Sequence, residues 1–177
     1  MLSFLALIVL LWLYLILIIA IKINDPGPSS FTQKRVWIHK SYFKLHKFRS
    51  MKMSTSHDIP THQLENPEQY VIRVGKFLRK FSFDELPQIW DLFVGNMSII
   101  GPRPALWNQD DIATERDKYG ENDIKPGLTG RAQINDRDER EIPIKAKLDG
   151  DYTKKLKQGG FKAFDCDLRC FLARSSA

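Results

Sequence analysis

Apolar residues fill nearly every position at the start of the chain, without the spacing that would leave one polar helix face. Residues 2–21 contain no charged side chain and consist mainly of Leu, Ile and Val. A helix of this length spans about 30 Å, the thickness of a bilayer's hydrocarbon core. Neither a preceding basic segment nor a small-residue cleavage site is present, so a cleaved signal peptide is not indicated. We therefore predict a membrane anchor over residues 1–23 and one domain over residues 24–177, with a buried core helix as the alternative.

The pattern changes to short alternating runs after this segment. Residues 35–38 and 42–46 alternate in character around a short break, which predicts a β-hairpin. Residues 54–69 are polar and include Pro60 and Pro67, so we expect a surface loop there. Residues 98–100 form a brief apolar run, typical of a short strand.

Helical spacing returns in three later segments. Val74, Phe77, Leu78 and Phe81 recur at i, i+3, i+4 and i+7, and basic residues occupy the opposite face. Such a helix either packs on the core or lies at a membrane surface. Two further apolar stripes predict helices: Leu86, Ile89, Trp90 and Phe93, ended by Gly95; and Phe161, Phe164, Leu168, Phe171 and Leu172.

The charge of the chain is concentrated directly after the apolar segment. Residues 22–52 contain eight Lys or Arg residues against Asp25 alone, in a chain with a net charge of +6. Basic residues in this position favour the cytoplasmic side and anionic lipid headgroups. No helix-turn-helix, zinc-finger or RNA-binding signature accompanies the charge, so we expect no nucleic-acid partner. Cys166 and Cys170 lack further metal ligands at suitable spacing and are interpreted as packing thiols.

Asp84 and Glu85 form the first candidate for chemistry. They precede an apolar helical stripe, and Ser82-x-x-Glu85 matches a capping box, so both carboxylates are expected to stabilise a helix start. Pro87 leaves open whether Ser82 or Asp84 is the cap. The same pair suits catalysis, because an ionised aspartate is a nucleophile toward phosphorus and a neighbouring carboxylate binds a divalent cation.

Two stiff loops form the second candidate. Pro102 and Pro104 restrict the backbone on both sides of Arg103, whose planar guanidinium suits bidentate phosphate binding. Gly127 and Thr129 belong to a Pro-Gly-Leu-Thr-Gly segment whose backbone amides could approach a phosphate. Each loop alone is equally compatible with a structural turn.

The order of these pieces is more specific than any one of them. It runs through residues 47–51, 74–80, 84–88, 95–104 and 125–135. The series resembles the bacterial sugar transferase family, the monotopic polyprenyl-phosphate phosphoglycosyl transferases, from the anchor to about Tyr152.

The resemblance implies an α+β fold: an N-terminal membrane helix and a small, mostly helical cytoplasmic catalytic domain with a short β-hairpin and interfacial amphipathic helices. It implies a magnesium-dependent enzyme at the cytoplasmic face of the inner membrane. Asp84 would attack the sugar-bearing phosphate of a UDP-sugar and release UMP, and the phosphosugar would then pass to undecaprenyl phosphate. Glu85 would bind Mg²⁺, and Arg103, with Arg79 and Arg49 as further candidates, would bind phosphate. Downstream glycosyltransferases are the implied protein partners.

Several positions depart from the family's usual pattern. Trp37 and Arg131 stand where Gly and Trp are usual, and Asp136 stands where Gly usually follows Asn135. The usual Ser-Pro pair of the anchor is absent, and residues 2–21 contain neither proline nor glycine. A straight spanning helix with Met1 outside is therefore expected, and the family's re-entrant helix is the alternative. The rival functional hypothesis is a non-catalytic family member that acts as a membrane scaffold.

Overall fold

The computed structural model describes residues 8–55, 66–134 and 141–175, which combine helices with two small sheets. Seven α-helices lie within these residues: α1 (Leu11–Asn24), α2 (Arg73–Lys80), α3 (Gln88–Phe93), α4 (Asp110–Asp117), α5 (Arg131–Ile134), α6 (Ile142–Gln158) and α7 (Gly160–Ser175). The strands are β1 (Ser30–Val36), β2 (Tyr42–Phe48), β3 (Ser98–Ile100) and β4 (Gly127–Thr129). This mixture confirms the predicted α+β class.

The chain forms two compact units. The first comprises Met1–Lys34 and Lys44–Val94, and the second comprises Arg35–Phe43 and Gly95–Ala177. In the first unit, apolar side chains from α1, β2, α2 and the segment before α2 form one core. Its buried members are Leu17, Ile21, Phe48, Ile72 and Leu78.

Helix α1 packs one face on this core and leaves the other exposed. Leu17 and Ile21 are buried, whereas Trp12, Ile16 and Ile19 are more than half exposed. No helix in the described part of the chain combines the length and apolarity needed to cross a bilayer. Residues 1–7 of the predicted anchor lie outside the described residues, so the choice between a spanning and a re-entrant anchor stays a prediction.

Strands β1 and β2 form the predicted antiparallel hairpin, with altered bounds. β1 begins at Ser30, five residues before the predicted start, and ends at Val36. Ile38 does not extend the strand but begins a 3₁₀ turn in which His39 and Lys40 have positive φ. The backbone N–H of Trp37 donates to Ser41 O at 2.7 Å and closes the loop. Of the predicted loop over residues 54–69, residues 56–65 lie outside the described residues, and Pro67 begins a 3₁₀ turn.

The two middle helices have the predicted positions, but their predicted apolar stripes are only partly buried. Helix α2 buries Gly75 and Leu78, while Phe77 and Phe81 are half exposed. A Cβ on Gly75 would meet Ser50 O at 2.0 Å, so this contact requires glycine. Helix α3 buries the polar Gln88 and Asp91, while Trp90 and Phe93 are exposed. The exposed apolar faces of both helices therefore lie at the surface of the first unit.

The second unit is built around a parallel pair of short strands and three longer helices. Ser98 pairs with Gly127, and Ile100 pairs with Thr129. Helix α6 packs against α4, α5 and α7. Cys166 and Cys170 of α7 are buried free thiols, which confirms their predicted packing role. The apolar stripe predicted for this helix is exposed instead, with Phe161 and Phe164 at its start.

Candidate active site

Asp84 and Glu85 lie in a 3₁₀ turn, Phe83–Glu85, directly before the segment that leads into α3. The predicted capping box is wrong, because Ser82 has φ 55° and makes no side-chain cap hydrogen bond. Helix α3 begins only at Gln88, with Pro87 as its N-cap residue, so Asp84 is not its cap either. The turn is held by the main chain, with the Glu85 N–H donating to Ser82 O at 3.1 Å. The two carboxylates are therefore not used as helix caps.

Charged side chains of the first unit surround this turn. Lys47 Nζ lies 3.3 Å from Glu85 Oε1, and both side chains are largely buried. Burial raises the pKa of Asp84, and the positive charges of Lys47 and Arg79 oppose that rise. The adjacent Glu85 carboxylate raises the pKa of Asp84 further. The turn thus places a half-buried carboxylate next to a second carboxylate and two cations.

No catalytic or binding role was predicted for Lys47 from the sequence. It belongs to the first family motif, at residues 47–51. The available signal was its position near the end of β2, but strand alternation alone does not indicate which residue it contacts 38 positions later. Arg79, a predicted phosphate-binding residue, donates from Nε to Ser50 Oγ at 3.0 Å. This contact connects α2 to the segment after β2.

Two partly buried polar contacts fix the position of the acidic turn. Tyr14 of α1 donates its hydroxyl hydrogen bond to Leu86 O, immediately after Glu85. On the following helix, the buried carboxylate of Asp91 accepts from the His46 backbone N–H at 3.0 Å and contacts His46 Nδ1 at 2.8 Å. His46 directly precedes Lys47 on β2. Its contacts with Asp91 therefore anchor helix α3 beside Lys47, the partner of Glu85.

Arg49 has a different environment from the one predicted. It is 1% exposed, and its Nη1 lies 3.1 Å from Asp25 Oδ2. Its Nη2 also donates to Asp25 O, directly after α1. These contacts favour a structural role at the end of the N-terminal helix, and phosphate binding by Arg49 stays an untested prediction.

The predicted residues Pro102, Arg103, Gly127 and Thr129 all lie in the second unit. The Gly127 N–H donates to Pro102 O at 2.9 Å, and the Gly101 N–H donates to Thr129 O at 2.8 Å. A Cβ on Gly127 would meet Gly101 N at 2.2 Å, so only glycine permits this approach. The two stiff loops therefore lie side by side, held by the parallel pairing of β3 and β4. Thr129 is buried, and its Oγ1 has no hydrogen-bond partner among the described residues.

Glu85 is also the predicted metal ligand, directly after Asp84, the predicted nucleophile. The described residues contain no group of three or more His, Cys, Asp or Glu side chains suited to a metal ion. Mg²⁺ usually takes only one or two carboxylates and completes its shell with water and substrate phosphates. Two adjacent carboxylates, one of them in contact with Lys47, fit such an ion when a phosphate-bearing substrate supplies the other ligands.

Comparison with known proteins decides the family. The profile of the bacterial sugar transferase family matches residues 1–168. The chain belongs to the bacterial sugar transferase family. Among curated relatives of the chain, the UDP-glucose:undecaprenyl-phosphate glucose-1-phosphate transferase of Escherichia coli K12 is 40% identical over 119 residues. That match covers 66% of this chain and 25% of the relative.

Two further relatives are also sugar transferases by name. The Xanthomonas campestris enzyme with the same name is 38% identical over 128 residues, which cover 71% of this chain and 26% of the relative. The uncharacterized sugar transferase EpsL of Bacillus subtilis is 36% identical over 137 residues, which cover 77% of this chain and 65% of the relative. The chain thus spans about a quarter of the length of the first two relatives.

The positions that depart from the usual family pattern have specific surroundings in the structure. Trp37 Nε1 donates to Asn96 O at 2.7 Å within the second unit. Arg131 begins α5, directly after the Gly127–Thr129 strand and Gly130. Asp136 lies outside the described residues. None of the three belongs to the 3₁₀ turn that carries Asp84 and Glu85.

Proposed function

We propose that the chain transfers a sugar-1-phosphate from a UDP-sugar to undecaprenyl phosphate, and that Asp84 is the covalent nucleophile. The observation that carries this proposal is the environment of Asp84, whose carboxylate shares a turn with Glu85 and lies in the field of Lys47 and Arg79. Relatives of the chain are named for transfer of glucose-1-phosphate to undecaprenyl phosphate, which supports this substrate class. The initiation of a polysaccharide or glycoconjugate is the biological step that such a product implies.

The reaction proceeds in two displacements at one phosphorus atom. An Asp84 carboxylate oxygen attacks the β-phosphorus of the UDP-sugar, and the bond from that phosphorus to the bridging oxygen breaks. UMP leaves with the electron pair, and the phosphosugar remains bound to Asp84 as an acyl phosphate. A phosphate oxygen of undecaprenyl phosphate then attacks the same phosphorus, and the Asp84 carboxylate leaves unchanged. Positioning and charge stabilisation supply most of the catalysis in such transfers.

The neighbouring groups have distinct roles in this scheme. Lys47 and Arg79 lower the pKa of Asp84 and so oppose the rise that its burial causes. When bound at Glu85, Mg²⁺ would neutralise charge on the donor's phosphates. Arg103 is proposed as a ligand of those phosphates, because Pro102 and Pro104 restrict its backbone and guanidinium binds phosphate through two nitrogens.

We further propose that the enzyme works at the inner membrane, with its catalytic domain on the cytoplasmic face. Exposed apolar side chains on α1, α2 and α3 support this location, with Trp12, Phe77 and Trp90 as one example from each helix. Basic residues accompany them on α2, where Arg73 and Lys80 are exposed. This combination suits an interface that contains anionic lipids.

A UMP-release assay with the purified chain tests the function. The chain in detergent micelles would receive Mg²⁺, undecaprenyl phosphate and a panel of UDP-sugars. We expect UMP from at least one donor, no UMP from Asp84→Asn, and wild-type release from Asp165→Asn, a control at a partly exposed acid on α7. Absence of UMP with every donor would favour the non-catalytic scaffold, and release by Asp84→Asn would refute the assigned nucleophile.

A further inference from the structure

A largely buried arginine of the second unit contacts three groups from different parts of the chain. Arg116 lies near the end of α4, and its side chain is 12% exposed. Its Nε lies 3.3 Å from Glu121 Oε2, and its Nη2 lies 3.9 Å from Asp149 Oδ2. The same Nη2 donates a 2.8 Å hydrogen bond to the main-chain carbonyl of Arg103. One guanidinium therefore connects the proline-flanked loop to two buried carboxylates.

Asp149 extends this connection to the glycine-containing loop. Its Oδ1 accepts from the Ala132 N–H at 2.9 Å, two residues after Gly130. A Cβ on Gly130 would meet Gly101 O at 2.3 Å and Asp149 Oδ1 at 3.5 Å. Residues 101–104 and 127–132 are thus linked through Arg116 and Asp149, in addition to the pairing of β3 with β4.

Burial of these charged groups costs free energy, which argues against a role in stability alone. Burying ions requires desolvation that their mutual attraction does not reliably offset. Here the carboxyl groups of Glu121 and Asp149 share one guanidinium, and neither oxygen of the buried Glu121 carboxyl group has a hydrogen-bond partner among the described residues. The contact with the Arg103 carbonyl is different, because a charged donor to a main-chain oxygen fixes the backbone of a candidate phosphate-binding residue.

We propose that Arg116 is a positioning residue for donor binding: together with Asp149, it fixes residues 101–104 against residues 127–132 and so orients the Arg103 side chain. The inference rests on the proposed function, since it assigns Arg103 to the donor's phosphates. Arg116 itself contacts the Arg103 main chain, not a reacting group. Lysine cannot replace it, because a single ammonium lacks the planar fork that reaches separate acceptors.

The first test is independent of activity. Hydrogen exchange would be measured on the full chain in detergent micelles for the wild type, Arg116→Lys and Arg169→Lys. Arg169 is a matched control, because it pairs with Asp165 in the same unit but is 79% exposed. We expect about tenfold faster exchange in residues 101–104 and 127–132 for Arg116→Lys, as for loss of a charge-assisted hydrogen bond. Unchanged exchange in both segments would overturn the positioning role, whether or not the chain is active.

The second test separates positioning from general destabilisation. For UDP-sugar turnover, Arg116→Lys should raise KM for the donor about tenfold, with a much smaller effect on kcat. Arg103→Lys should act in the same direction, and the double variant should be little worse than either single variant, because both disturb one interaction. If the two increases in KM multiply in the double variant, the inference is refuted, even if hydrogen exchange in the two segments becomes faster. If the wild type releases no UMP, the proposed function fails, and with it the donor-binding part of this inference.

Discussion

The buried carboxylate of Glu121 predicts a specific dependence of stability on pH. Burial raises its pKa from the ordinary 4.5 to about 8, although Arg116 opposes the rise, and Asp149 adds to it. At pH values between 4.5 and about 8, Glu121 holds a proton in the folded chain and releases it in the unfolded chain. The free energy of unfolding must therefore fall as pH increases, by roughly 1.4 kcal/mol per pH unit for one group.

Glu121→Gln replaces this group with an uncharged side chain of similar shape, close to the protonated acid. The variant should match the wild type near pH 4.5 and become the more stable protein as pH rises. Between pH 5.5 and 7.5, linkage predicts that the difference in the free energy of unfolding grows by roughly 2–3 kcal/mol. The full difference above pH 8 has an upper bound of roughly 5 kcal/mol.

Denaturant unfolding in detergent micelles, repeated across this pH range, measures the difference. Asp165→Asn serves as a control, because this partly exposed acid of the same unit should leave the profile parallel to that of the wild type. Parallel profiles for Glu121→Gln and wild type would refute the reasoning, since they would mean that Glu121 is already ionised at low pH.

Three further predictions concern the candidate active site and its support. Lys47→Met should move the acidic limb of the pH–rate profile to higher pH, because Lys47 lowers the pKa of Asp84; an unmoved limb would contradict this. Gly75→Ala should lower the free energy of unfolding by about 1–3 kcal/mol through the clash with Ser50 O, whereas Lys76→Ala on the exposed face should not, as measured by denaturant unfolding. Arg103→Lys should cost about 1–3 kcal/mol in kcat/KM, and kinetics like those of the wild type would show that Arg103 only shapes a turn.

Local pattern predicted several elements of the fold, but it did not predict α4 or α6, and it did not show which faces the predicted helices bury. The spacing of Leu86, Ile89, Trp90 and Phe93 correctly indicated helix α3. Its buried residues are nevertheless Gln88 and Asp91, because Asp91 finds a hydrogen-bond partner in His46 on a distant strand. Apolar periodicity does not predict such a partner, since the contact depends on tertiary structure.

In the candidate site, too, the sequence indicated the residues but not their contacts. Ser82 and Glu85 have the spacing of a capping box, but Ser82 has a positive φ and precedes a 3₁₀ turn, Phe83–Glu85, that ends before helix α3 begins. Asp84 and Glu85 were identified as a pair from sequence, whereas the approach of Lys47 became visible only with the fold. The contact between Arg116 and the Arg103 carbonyl involves a main-chain atom, so no side-chain motif could have indicated it.

The most direct test of the account is detection of the phosphosugar bound to Asp84. The purified chain would be mixed with Mg²⁺ and a reactive UDP-sugar labelled on its β-phosphate, without acceptor, and the denatured protein would be examined for label. We predict label on the wild type and on Asp165→Asn, none on Asp84→Asn, and loss of label when undecaprenyl phosphate is added before denaturation. Label that persists on Asp84→Asn, or turnover of the wild type without any labelled protein, would contradict covalent catalysis by Asp84.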